Sequence, residues 1–119
     1  MAILENTADL FRVLMHPTRL AILQVLRGDE QCVCHMVAVL GLRQAHISQQ
    51  LSILRQAGLV TDRRDGWNVF YHIARPEVIA VLDAAAVLNG QSGGSDAATS
   101  FTARPASCTC PKCQRMRNR

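Results

Sequence analysis

Five cysteines fall into two tight groups, Cys32-Val-Cys34 and Cys108-Thr-Cys110-Pro-Lys-Cys113. Thiolates are the natural ligands of soft ions, and several within a few residues make a chelate. Three sulfurs suit a trigonal-pyramidal As(III) or Sb(III). Four, drawn from both groups, suit Cd(II), Pb(II) or Zn(II), with tetrahedral zinc the reference case. A lone cysteine would read as a small buried hydrophobe. A Cys-x-Cys pair with three further thiols reads as an ion site, and the same thiols also admit a redox or persulfide switch. His35, directly after the pair, is a further potential ligand. Cys110-Pro-Lys-Cys113 has dithiol-oxidoreductase spacing, but it lies in a tail with no βαβ setting, so catalysis is not expected.

A second stretch carries a different chemistry. In Gly41 to Leu59 the apolar residues Ile47, Leu51 and Leu54 recur at helical spacing and form one stripe. The other side holds Ala45, Ser48, Gln49, Ser52 and Gln56, small or amide residues without an acid. An ordinary surface helix would show Glu and Lys there. An uncharged, hydrogen-bonding front suits the DNA major groove, where glutamine pairs bidentately with adenine. The expected contacts are Arg43, Gln44, Ala45, His46, Ser48, Gln49 and Ser52. Gly58 is placed to end this helix in the left-handed region, with Leu59 folding back over the last turn.

These residues sit in a chain of 119, enough for one domain with a modest core. Apolar residues make up 49% and aromatics 4%, which favours helices built on Leu, Val, Ile and Ala. The net charge of +4 comes from the end of the chain: all nine acids precede residue 104, against eight arginines there, and the last 16 residues carry five bases. Local placement, rather than bulk charge, must therefore carry any case for a nucleic-acid partner. The N-terminus MAILENTADLF lacks a basic start, and no apolar run approaches the roughly 20 residues of a membrane span. A cytoplasmic protein with reduced thiols and no membrane partner is expected, and its odd cysteine count argues against a disulfide framework.

The positioning elements follow from periodicity. Residues 3–15 read as a helix that His16-Pro17 ends. Pro17 opens a second helix running to Arg27, which Gly28 closes. A third helix spans about Gln31 to Leu40, with Val33, Val37 and Leu40 as its stripe. Gly41-Leu42 turns into the glutamine-bearing helix, giving a helix-turn-helix. Leu59–Arg64 and Trp67–Ile73 then flank Asp65-Gly66, a two-residue hairpin signal and hence a wing. Arg63, Arg64 and Trp67 cluster at its tip, placed for phosphates or a minor groove. His16 and His72 read as structural.

Pro76 to about Asn89 is a last helix with almost no polar side, which a second copy of the chain would cover together with the first helix. The expected fold is mainly α with a small β-hairpin, a winged helix-turn-helix dimerising through its first and last helices. Residues 1–89 would be the DNA-binding and dimerisation domain, 90–107 a flexible Gly/Ser/Ala/Thr linker and 108–119 a cysteine-rich basic tail.

Cys32 and Cys34 lie two residues apart on the third helix, about 200° of rotation, so they do not share a face, and sharing one ion would distort that first turn. The strain would pass to the helix ten residues on.

Four segments together, HPTRLAIL (16–23), CVCHMVAVLGL (32–42), SQQLSILRQAGLV (48–60) and RRDGWNVFYHI (63–73), resemble the ArsR/SmtB family of bacterial metal-responsive repressors over residues 3 to 89. The resemblance implies a homodimer on double-stranded operator DNA. It also implies a Cys-Val-Cys box that takes As(III), Sb(III), Cd(II) or Pb(II) in different members. The chain departs from the family at Val37, where arsenic sensors have a third cysteine, and it has no cysteine before Cys32. Its last helix offers Asp83 but no histidine for the zinc-type site. The remaining ligands would come from Cys108, Cys110 and Cys113, from one chain or across the dimer. Arg43 stands where the family has a capping Ser or Thr; arginine cannot accept that bond, so a phosphate contact is expected.

Overall fold

A computed structural model describes residues 1–91 of the chain. Cys108, Cys110, Cys113 and nearly all of the expected linker lie outside the described residues. The elements run α1 (Ala2–Leu14), α2 (Pro17–Val25), β1 (Gln31–Cys32), α3 (Val33–Leu40), α4 (Gln44–Gln56), β2 (Val60–Asp65), β3 (Asn68–Ile73) and α5 (Glu77–Leu88). No helix among them is long and apolar enough to cross a membrane.

Pro17 occupies the first turn of α2, where its missing N–H removes no intrahelical bond. This helix stops at Val25, two residues short of the expectation, because Arg27 N–H bonds the Gln24 carbonyl at 3.2 Å in a tighter last turn. α2 is the hub of the fold and packs against α1, α3, α4 and α5. Ile22 and Leu23 of α2, Met36 of α3 and Ile47, Leu51 and Leu54 of α4 are fully buried together. Each such side chain is worth about 1.5–3 kcal/mol of burial, so the stripe on α4 fixes which of its faces looks outward. On α3 the expected stripe of Val33, Val37 and Leu40 is half-buried against this core, while Met36 fills it.

The anticipated hairpin is one part of a three-stranded antiparallel sheet in the order β1-β3-β2. Gln31 and Cys32 are extended and pair with Tyr71 and Phe70, so the expected helical start at Gln31 is corrected to Val33. The β2–β3 turn also shifts by one residue. Asp65 pairs with Asn68, which leaves Gly66-Trp67 as the two-residue loop. Gly66 has φ 62°, and among the described residues only glycines take a positive φ, so Trp67 does not, the pattern of a turn with glycine at its first central position. Within β3 it is Phe70, not the Val69/Tyr71/Ile73 face, that is fully buried.

Gly58 ends α4 as the sequence anticipates. At φ 79° it donates to the Arg55 carbonyl, while Leu59 N–H bonds Leu54 O, each at 3.0 Å, and Leu59 is buried over the last turn.

Candidate nucleic-acid interface and thiol site

α4 presents two unlike sides. With Ile47, Leu51 and Leu54 turned inward, Gln44, Ala45, His46, Ser48, Gln49 and Gln56 are exposed and Ser52 is half-buried. No acidic residue lies within the helix. Arg43 is its N-cap, extended at φ −65° and ψ 141°, and makes no side-chain capping bond, which leaves its exposed guanidinium facing solvent beside the helix N-terminus. The three residues Gly41, Leu42 and Arg43 separate α3 from α4, and Gly41 takes φ 67° to make that turn.

The wing is joined to both neighbouring elements. Arg55 in the last turn of α4 pairs with Asp62 of β2 at 3.5 Å. Arg63 donates from Nε to Glu30 at 3.0 Å, makes a second bond to the same carboxylate, and stacks 5.0 Å from the Phe70 ring centre. The hydrogen bond it donates to Glu30 is the main reason the Arg63 guanidinium holds its proton even more firmly than usual. Arg63 is thus tied to the body of the domain, whereas Arg64 and Trp67 project freely at the tip, Trp67 fully exposed. The three expected wing residues therefore divide into one anchored and two outward-facing.

Cys32 is the N-cap of α3, and its Sγ accepts the His35 N–H at 3.3 Å. It is buried, while Cys34, in the first turn of α3, is exposed. Cys32 is extended rather than helical, so the expected 200° of helix between the pair is replaced by a strand-to-helix step, with one thiol buried and the other exposed. His35 is buried at 2% exposure. Among the described residues no group of three His, Cys, Asp or Glu side chains could enclose a metal. The donor types at Cys32 and Cys34 fit a soft ion.

Two features were absent from the sequence reading. One is β1, whose Cys32 stands opposite Phe70, which stands opposite Arg63, so that one row of the sheet runs from thiol to wing. The other is Arg19 of α2, 9% exposed, which donates to Gln50 of α4 at 2.8 Å and to the Val13 carbonyl of α1 at 3.0 Å. Nothing in either local sequence signals these long-range partners.

Apolar side chains are exposed on α1 and at the end of α5: Ile3, Leu4, Phe11, Val87 and Leu88 are each more than half exposed. Between the helices lies an apolar groove of about 500 Å³ lined by Phe11, Met15, Leu20, Val81, Leu82 and Ala85, among others.

This arrangement of helices, turn and sheet is a winged helix-turn-helix. A family model described as bacterial regulatory protein, arsR family, matches residues 16–62. The HTH-type transcriptional repressor SmtB of Mycobacterium tuberculosis is 41% identical over 85 residues, covering 71% of this chain and 63% of that protein. The crystal structure of M. tuberculosis Rv0081 is similar with a TM-score of 0.69 at 34% identity, over 76% of this chain and 91% of that one. A homodimeric winged helix-turn-helix DNA-binding domain of Mb0332 from Mycobacterium bovis, solved by NMR, is similar with a TM-score of 0.66 at 29% identity, over 75% and 82% of the two chains. The chain belongs to the ArsR family of bacterial regulatory proteins and has the family's winged helix-turn-helix fold.

Proposed function

We propose that this protein is a cytoplasmic, homodimeric transcriptional repressor that leaves its operator when a soft metal or metalloid ion is bound by its cysteine thiolates. As(III)/Sb(III) and Cd(II)/Pb(II) are the inducer classes, with Zn(II) a further fit to a four-sulfur set. The observation that carries this reading is the position of Cys32: a buried thiol at a helix N-terminus, on a strand shared with the wing.

In this reading α4 enters the major groove of double-stranded DNA, with Gln44, Ala45, His46, Ser48, Gln49 and Ser52 toward base edges and Arg43 toward phosphate. Arg64 and Trp67 of the wing meet the backbone or the minor groove, and Arg63 holds the wing in place. The apolar surfaces of α1 and α5 join two copies, as the homodimeric relative's form supports.

Cys32 and Cys34, with Cys108, Cys110 and Cys113, form the ligand set. Recruiting the Cys32 sulfur takes it from the His35 N–H and loads β1. The load passes along the row to Phe70 and Arg63, and through Asp62 and Arg55 to the end of α4. Coupling in this family member would therefore run through the sheet rather than through a strained turn of α3.

The test is Cys34→Ser. The variant should bind DNA as the parent does and fail to release it on adding Cd(II), Pb(II) or As(III); normal release would make the helix cysteine a bystander. The exposure of Cys34 favours a second reading, a thiol redox or persulfide switch in the same fold. It requires oxidised and reduced samples to differ in DNA affinity without metal and with chelator present.

A further inference from the structure

Dimeric readers of DNA must hold two recognition helices at a fixed separation, because half-sites repeat about one helical turn, or a multiple of it, apart. Here the surface available to a second copy lies on α1 and α5, while the recognition face lies on α4. α2 packs against both α1 and α4, so the geometry of one relative to the other is set largely through α2.

One side chain on α2 is hydrogen-bonded to both helices. Arg19 donates from Nε to the Gln50 side-chain oxygen at 2.8 Å and from a terminal nitrogen to the Val13 carbonyl at 3.0 Å. Val13 lies in the last turn of α1, so the cation also sits at the negative end of that helix. The guanidinium is a planar fork whose donors are fixed relative to one another, which makes it a two-point clamp rather than a flexible tether. It is buried, and its two neutral acceptors leave it sensitive to any shift of either helix. Gln50 is half-buried and adjoins Gln49, but it points back toward Arg19 instead of outward.

We propose that Arg19 is a positioning residue that, through Gln50 and the end of α1, sets the spacing of paired DNA half-sites this protein accepts. The inference rests on the reading of α4 as the recognition helix of a dimer. A merely structural role would lower stability and weaken all DNA binding alike; a positioning role changes the preference among spacings.

The experiment uses the full chain. Duplexes selected by the parent protein from a randomised pool are resynthesised with base pairs added or removed between half-sites, alongside a duplex with one half-site. Arg19→Met should lose about tenfold in affinity at the preferred spacing, lose most of its preference among spacings, and bind the single half-site as before. Gln50→Met should do the same, and it serves in place of Arg19→Met should that variant fail to fold. Gln50→Glu keeps an acceptor for the guanidinium, so its spacing preference should persist even though the added charge weakens binding to every duplex. A folded Arg19→Met or Gln50→Met that keeps the parent's spacing preference overturns the inference alone. A parent protein that binds no duplex overturns it together with the DNA-binding reading.

Discussion

Cys32 and Phe70 face each other across the sheet, the first capping α3 and the second lying under the guanidinium of Arg63. Directly opposed residues on antiparallel strands have adjacent side chains, so the state of the thiol is felt first at Phe70. Glu30, two residues before Cys32, closes the circuit by holding Arg63. Thiol and wing are thus parts of one small structural unit.

Glu30→Gln breaks the ion pair while leaving every cysteine in place. DNA affinity without ion should hold or rise slightly, since an acid near the wing is gone. The loss of affinity on adding ion should shrink by about fivefold or more, the scale of an ordinary coupling free energy. Fluorescence anisotropy on labelled operator, with and without Cd(II), measures both numbers. An unchanged ratio would route the coupling elsewhere.

Gln49→Ala removes an exposed amide from the middle of α4 without touching the buried stripe. Binding to the preferred operator should weaken by roughly 1–3 kcal/mol and lose discrimination at one base pair. Competition with operators substituted one position at a time would reveal it, and undiminished discrimination would move the recognition face off Gln49.

The fold was legible where its causes are local. Ile47, Leu51 and Leu54 mark α4 by period, Pro17 marks the start of α2 and Gly58 the end of α4; all stand where the sequence puts them. β1 was not legible, because two residues become a strand only through Tyr71 and Phe70, far along the chain. The wing's turn slipped by one residue for a similar reason: Asp65-Gly66 is a good local signal, but register is decided by all six pairs from Val60–Ile73 to Asp65–Asn68. Likewise the sequence offers Arg63 as a wing-tip cation, and only the neighbouring Glu30 and Phe70 show it anchored.

Phe11→Glu places a charge in the apolar surface of α1, where the side chain is 55% exposed in one copy. The variant should sediment as a monomer that retains helical circular dichroism, and it should bind paired half-sites far more weakly than the parent. A variant that remains dimeric would shift the interface away from α1.

Arg27, just past the end of α2, donates to Asp83 of α5 at 3.2 Å, with a second bond between the same groups, and this pairing holds the Asp83 carboxyl below its usual range. A carboxyl depressed in the folded state stabilises the fold above its unfolded value of about 3.9, and that contribution fades as pH falls through the folded value. Thermal unfolding midpoints of the parent and Asp83→Asn should therefore differ at neutral pH and converge only in acid well below about pH 4. Equal midpoints at pH 7 would mean that the Arg27–Asp83 pair contributes nothing.

Ion-driven release is tested most directly by one titration of the fully reduced protein, already bound to operator, with Cd(II), Pb(II) and As(III) in turn. Thiolate-to-ion charge-transfer absorbance and DNA-bound fraction are recorded on the same sample. With an inducing ion, absorbance should rise to saturation while the bound fraction falls in step, and removing the ion with a competing chelator should restore the complex. Absorbance that saturates with every ion while the protein stays on its operator would contradict the central claim.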